Sequence, residues 1–96
     1  MPTMLSIAKK WVPEGCELVL VKEKASQYSV KVVFNGVEGI TWIPKQTAPG
    51  YATRVAKNSI ASAMMSIFLQ TGEIEKAKEW HDKILNPKEW KERGKP

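Results

Sequence analysis

Residues that carry metal or covalent chemistry are scarce in this chain. Its 96 residues include one cysteine, Cys16, and one histidine, His81. A single cysteine excludes an internal disulfide and favours a reducing compartment. His81 has no cysteine partner at zinc spacing, and Cys16 has no histidine near it in the sequence, so neither a zinc site nor a nucleophilic pair is indicated. We therefore expect a protein that is not an enzyme, with no metal and no cofactor.

Long hydrophobic runs are also missing. The most apolar run, residues 60–69, is about half the ~20 residues that a membrane-spanning helix requires. Near the N-terminus, Lys9 and Lys10 follow a short apolar run, which reverses the order found in a signal peptide. We expect no membrane partner and a cytoplasmic location.

Acidic side chains are absent from the middle of the chain. No Asp or Glu occurs between Gly39 and Gly72, although Lys45, Arg54 and Lys57 lie there. The net charge of the whole chain is +5 and its pI is about 9.4. A basic balance favours anionic partners over cationic ones.

What the sequence does contain is clear hydrophobic periodicity. Apolar residues alternate from Tyr28 to Phe34, and Asn35-Gly36 then favours a type I′ hairpin turn. A two-residue turn fixes the pairing of the strands around it, so Phe34 faces Val37 and each residue before the turn has a defined partner after it.

The periodicity as a whole predicts an α+β fold. We expect a three-stranded antiparallel β-meander packed on a long central helix, followed by an antiparallel C-terminal helix and short terminal helices. One small domain would hold an N-terminal helix (residues 1–13), the meander (17–43) and a helical part (50–93). The predicted elements are helices over 4–12, 50–70 and 73–85, strands over 17–22, 28–34 and 37–43, and a last short helix through Trp90.

Two motifs lie within the helical part, Gly72-Glu73-Ile74-Glu75-Lys76-Ala77 and Leu85-Asn86-Pro87. With them, residues 59–87 resemble one tetratricopeptide-type helical hairpin, and the resemblance implies that the two helices pack antiparallel. A solenoid needs about three such units, and the sequence holds one. The chain is therefore placed in no family.

The connection from the third strand into the long helix predicts an anion site. Free N–H groups and the helix dipole favour anions at a helix start, and cationic side chains flank this one. A nucleic acid or a nucleotide-like ligand would fit. The alternative is a solvated basic helix face, because no glycine-rich phosphate loop is present. The residues predicted for the site are Lys31, Trp42, Lys45, Thr47, Tyr51, Arg54 and Lys57.

The second face of the predicted sheet carries Ile40 and Trp42 among polar residues. Trp42 beside Lys31 is typical of a stacking platform for single-stranded nucleic acid. The alternative is a second small core, in which Val19, Val21, Val33, Ile40 and Trp42 lie beneath a terminal helix.

Four tryptophans in so short a chain point to a second functional hypothesis. Tryptophan is favoured in binding hot spots, so Trp80 and Trp90 are candidates for contact with a larger protein, and core packing is the alternative. The protein would then be an interaction module or an inhibitor of a larger enzyme, a role that a phage-encoded protein could fill. The long helix is apolar almost all round, which also makes a homodimer plausible.

Overall fold

The computed structural model of the chain describes residues 3–86 and Trp90. Within these residues there are three helices and three strands: α1 (Met4–Lys9), β1 (Cys16–Glu23), β2 (Gln27–Phe34), β3 (Val37–Pro44), α2 (Ala52–Gln70) and α3 (Ile74–Leu85). The predicted α+β class and the order of its elements are confirmed. The last short helix was predicted through residues 87–89, which lie outside the described residues.

The N-terminal helix begins where a side chain caps it. The Thr3 hydroxyl accepts a hydrogen bond from the N–H of Ser6 at 3.1 Å, and this satisfies one of the free donors of the first turn. The helix ends at Lys9, earlier than predicted. The N–H of Trp11 bonds to the carbonyl of Ala8 at 3.0 Å, which tightens the last turn and directs the chain towards β1.

The sheet is an antiparallel meander in the order β1-β2-β3. Asn35 and Gly36 both have positive φ, 50° and 79°, as a type I′ turn requires. The register follows from this turn: Phe34 pairs with Val37 and Val32 with Gly39, as predicted. On the other side of β2, the pairing with β1 shifts between Leu20 and Lys22, and this irregularity was not predicted.

Helix α2 lies directly against one face of this sheet, which we call the inner face. Val30, Val32 and Ile43 point to α2 and are fully buried. The approach is closest at Gly39, where an added Cβ would lie 2.1 Å from the carbonyl oxygen of Ala63. Only glycine leaves room for the helix backbone at this position, so Gly39 sets the distance between the two layers.

Helix α3 returns along α2, with the antiparallel packing that the hairpin resemblance implied. The ammonium of Lys76 lies 5.5 Å from the centre of the Phe68 ring, and Ala77 is buried between the helices. Ile74 and Leu85 are both exposed, although their side chains are apolar. They are the first and last residues of α3, which packs through its middle turns.

The longest of the described helices is α2, with 19 residues. Within residues 3–86, no helix combines the length and apolar character needed to cross a membrane.

Candidate functional site

The candidate site is the sheet face that points away from α2, here called the outer face. Alternation along each strand places every second residue there. The register aligns these residues in rows across the strands, so that Lys31 lies between Val19 and Ile40, and Ser29 lies between Lys22 and Trp42. The outer face consists of Glu17, Val19, Lys22, Ser29, Lys31, Val33, Glu38, Ile40 and Trp42.

Two large apolar side chains project from this face at neighbouring positions of β3. Ile40 is 73% exposed and Trp42 is 55% exposed. Val19 and Val33 are half-buried beside them. We call Val19, Lys31, Val33, Ile40 and Trp42 the outer patch. None of the described helices covers it, so the expectation of a second small core is wrong for the described part of the chain.

The charge within the outer patch is neutralised locally. The Lys31 ammonium contacts a carboxylate oxygen of Glu38 at 2.6 Å, from a diagonal position on the adjacent strand. An exposed ion pair of this kind contributes about 0–1 kcal/mol to stability, and it leaves the centre of the patch without net charge. Trp42 and Lys31 do share a face, as the stacking hypothesis requires.

Lys45, another cation predicted for the anion site, is engaged elsewhere. Its ammonium bonds to a carboxylate oxygen of Glu23 at 2.7 Å and lies 5.2 Å from the centre of the Tyr28 ring. Thr47 lines a shallow pocket with Lys45 and Tyr28, between α1 and the start of α2. These residues form a group separate from the outer patch.

The structure separates Arg54 from Lys57, which were expected to act together. Arg54 is exposed on the first turn of α2, and it pairs with no carboxylate in the described part of the chain. Lys57 is only 8% exposed. Its ammonium lies 4.0 Å from the centre of the Trp11 ring and donates a hydrogen bond to the carbonyl of Trp90 at 3.0 Å. The placement of Lys57 on a solvated cationic rim is therefore corrected.

The start of α2 also differs from the predicted anion site, in which free N–H groups would bind the anion. The N–H of Tyr51 is not free, because it donates to the carbonyl of Ala48 at 3.1 Å. The Tyr51 ring is exposed and makes no side-chain cap for the helix. The seven residues predicted for one anion site are thus distributed over four places: the outer patch (Lys31, Trp42), the pocket beside α1 (Lys45, Thr47), the exposed start of α2 (Tyr51, Arg54) and the buried side of α2 (Lys57).

The tryptophans predicted for partner contact lie in an aromatic cluster. Trp90 packs edge-to-face against Trp11, with ring centres 5.7 Å apart, and against Trp80, with ring centres 5.1 Å apart. Trp90 is buried, and Trp80 is half-buried with the Lys83 ammonium 5.3 Å from its ring centre. The interpretation of Trp90 as a partner contact is therefore corrected to core packing, because the folded chain encloses its ring.

The groups that could support covalent chemistry are placed apart. Burial raises the pKa of the Cys16 thiol, which favours the protonated form over the nucleophilic thiolate. His81 is exposed on α3, and Cys16 begins β1. Within residues 3–86 and 90, no group of three or more His, Cys, Asp or Glu side chains is arranged to hold a metal ion.

Sequence reasoning placed Ile40 on the correct face but missed its exposure. The signal for its exposure was the polar character of the neighbouring residues. Lys31, Glu38 and Ser29 share that face, and charged residues favour a face that contacts solvent. The exposure of Leu20 and Val21 at the opposite edge of the sheet was missed as well. These two residues lie at the bulge that follows Leu20, and no pattern in the sequence predicts this bulge.

Comparison with known proteins adds no relative: no protein-family model, no curated protein and no solved structure matches the chain. Its function must therefore be inferred from its own geometry.

Proposed function

We propose that this protein is a non-enzymatic interaction module that binds a larger protein through the outer patch. The observation that carries the proposal is the exposure of Ile40 and Trp42 at adjacent outward positions of one strand. Burying one such side chain in an interface contributes about 1.5–3 kcal/mol. An inhibitor that blocks an enzyme surface is the kind of module that this arrangement suits.

The charges around the patch support a protein partner. Lys31 is already paired with Glu38, so the centre of the patch presents apolar surface with a neutralised ion pair beside it. Protein interfaces have this composition, with aromatic and aliphatic anchors in the middle and charged residues at the rim. Trp42 is the residue that we propose as the binding hot spot.

The test compares two exposed aromatic residues. Trp42→Ala removes the proposed anchor, and Tyr51→Ala removes an equally exposed ring outside the patch. A partner is first captured from a lysate of the source cells with the wild-type protein. Its affinity for the three proteins is then measured by calorimetry.

We expect Trp42→Ala to weaken binding about 30-fold, which corresponds to a hot spot of about 2 kcal/mol. Tyr51→Ala should stay within about threefold of wild type. The thermal midpoint of both variants should match wild type, since both side chains are exposed. Equal affinity of wild type and Trp42→Ala would contradict the proposal.

Binding of nucleic acid or a nucleotide-like anion is the second candidate. The observation in its favour is the exposed Trp42 ring beside Lys31 on an otherwise unobstructed face, together with the exposed Arg54. A base stacked on Trp42 would contribute about 1–3 kcal/mol. The internal contacts of Lys45 and Lys57 weigh against it, because a ligand phosphate would have to compete for the first and could not reach the second.

Salt dependence separates the two candidates. A single-stranded oligonucleotide that contacts three phosphates should bind about 20-fold more weakly at 200 mM salt than at 50 mM. A protein held by buried aromatic surface should lose little affinity over this range. Fluorescence anisotropy with a labelled oligonucleotide measures the first, and calorimetry with the captured partner measures the second.

Two further expectations belong to the proposal. We propose a cytoplasmic location, where the Cys16 thiol would remain reduced. We also keep the homodimer, which needs an interface that leaves Ile40 and Trp42 available to a larger protein.

A further inference from the structure

Strand β1 is the second edge of the sheet, on the side away from the most exposed residues of the outer patch. Within the described residues, it pairs only with β2. Leu20 is 43% exposed and Val21 is 60% exposed, within a run of four apolar residues that starts at Leu18. Edge strands normally carry charges, prolines or a covering helix against pairing with other chains. A bulge follows Leu20 at the far end of β1, but within the described residues no charge, proline or helix protects the segment from Leu18 to Leu20.

The register shows which backbone groups are open at this edge. Glu17 and Val19 pair with Val33 and Lys31, the β2 residues whose N–H and C=O groups point to β1. The N–H and C=O groups of Leu18 and Leu20 therefore point away from the sheet. Within the described residues, no helix or side chain bonds to them.

The other edge is different, because side chains of α2 bond to its backbone. The Ser59 hydroxyl donates to the carbonyl of Trp42 at 2.9 Å, and the Gln70 amide donates to the carbonyl of Glu38 at 2.7 Å. Two outward carbonyls of β3 are thus already bonded, whereas β1 offers its outward groups to another strand.

We propose that a second copy of this chain adds to β1, antiparallel, so that the two sheets join into one sheet of six strands. The two-fold axis passes beside Val19. In this register, Leu18 lies opposite Leu20 of the second copy, and each such pair exchanges its N–H and C=O bonds. The leucine side chains extend the inner face of each copy across the joint and bury the exposed part of Leu20.

The charges beside the joint are complementary in this register. Glu17 and Lys22 both lie on the outer face, and within the described residues neither makes an ion pair in its own chain. With the axis at Val19, Glu17 lies close to Lys22 of the second copy, and the symmetry forms this contact twice. With the axis at Leu20, Leu18 would instead lie opposite Lys22 of the second copy, which pairs with Ser29 and therefore directs its N–H and C=O groups to β2, so this pair could not exchange hydrogen bonds.

This inference gives an interface to the homodimer kept in the proposed function, but it does not depend on partner binding through the outer patch. Because the joint is at β1, Ile40 and Trp42 stay exposed in both copies, and the dimer presents two outer patches on one continuous face. Partner binding and self-association can therefore be tested separately.

The experiment is a charge swap read by sedimentation velocity of the full chain over a wide concentration range. Wild type should shift from monomer to dimer as its concentration rises. Glu17→Lys and Lys22→Glu each place like charges at the joint and should weaken the dimer at least about tenfold. The double variant restores opposite charges and should recover most of the wild-type affinity. Lys24→Glu makes the same charge change in the turn after β1 and should have little effect.

Amide hydrogen exchange gives an independent measurement. The N–H groups of Leu18 and Leu20 should exchange more slowly at concentrations where the dimer forms, and the outward N–H of Ile40 on β3 should not change. A monomer at every concentration overturns the proposal. So does a dimer that both single variants leave intact, a double variant without recovery, or concentration-dependent protection at Ile40 in place of Leu20.

Discussion

The inner and outer faces of the sheet are made by alternate residues of the same strands, yet only one of them is buried. Val32 on the inner face is fully buried, whereas Ile40 on the outer face is largely exposed, and both are β-branched aliphatic residues. Strand-forming tendency is thus similar on the two faces. The difference comes from α2, which packs against the inner face because Gly39 admits its backbone.

The largest expected effect comes from closing the space that admits α2. Gly39→Ala would place a Cβ 2.1 Å from the carbonyl oxygen of Ala63. Backbone atoms cannot move aside as a side chain can, so we expect a loss of about 3 kcal/mol or more in the free energy of unfolding. Urea denaturation measures it.

The matched control is Gly36→Ala, at the tip of the hairpin. An added Cβ there meets nothing within 4 Å, and the cost is the positive φ alone, about 1 kcal/mol. If Gly39→Ala costs no more than Gly36→Ala, the close approach of α2 to β3 is wrong.

A pair of isoleucines on β3 tests the two faces directly. Ile43→Ala empties a fully buried position and should cost about 2–5 kcal/mol. Ile40→Ala removes an exposed side chain and should stay within about 0.5 kcal/mol of wild type. Thermal and chemical denaturation of both variants measure the contrast. A large loss with Ile40→Ala would mean that the outer face is covered.

The two cations of α2 give a contrast of intermediate size. Lys57→Met keeps an unbranched apolar stem but removes the charge over Trp11 and the donor to the Trp90 carbonyl. We expect it to cost about 2 kcal/mol. Arg54→Met, on the exposed side of the helix, should change stability by less than about 0.5 kcal/mol. Equal stability of the two variants would return Lys57 to the solvated helix face that was the alternative to an anion site.

The smallest effect concerns the turn between α2 and α3. The hydroxyl of Thr71 donates to the Glu73 carboxylate at 2.7 Å, and with the contact to Lys76 this lowers the pKa of Glu73 below its ordinary value. A lowered pKa in the folded state stabilises the fold above the unfolded pKa, and this contribution is lost as pH falls through the folded value. Wild type should therefore lose slightly more stability than Glu73→Gln on acidification below about pH 4.3. If the free energies of unfolding of the two proteins change in parallel with pH, the stabilising contribution of the Glu73 carboxylate is contradicted.

The strands and their register could be predicted because local rules determine them. Asn35-Gly36 specifies a two-residue turn, and once Phe34 pairs with Val37, the period of two assigns every residue of β2 and β3 to a face. The start and end of α3 followed in the same way from Gly72 and the periodicity after it.

The covering of each face could not be predicted, since it depends on where distant helices pack. Trp42 has the same strand position whether a helix covers it or not. Lys57 looks polar on a helical wheel beside Arg54, and no local signal shows that Trp11 and Trp90 close over its ammonium. A long lysine stem can be buried while its charge finds a partner.

The distribution of the tryptophans gives this protein a built-in optical reporter. Trp90 contacts both Trp11 and Trp80 in one cluster that is largely buried, whereas Trp42 is exposed on the outer face of the sheet. A soluble quencher such as iodide should therefore act first on the long-wavelength emission of Trp42. Loss of that quenching on adding a ligand would follow occupancy of the outer patch without any label.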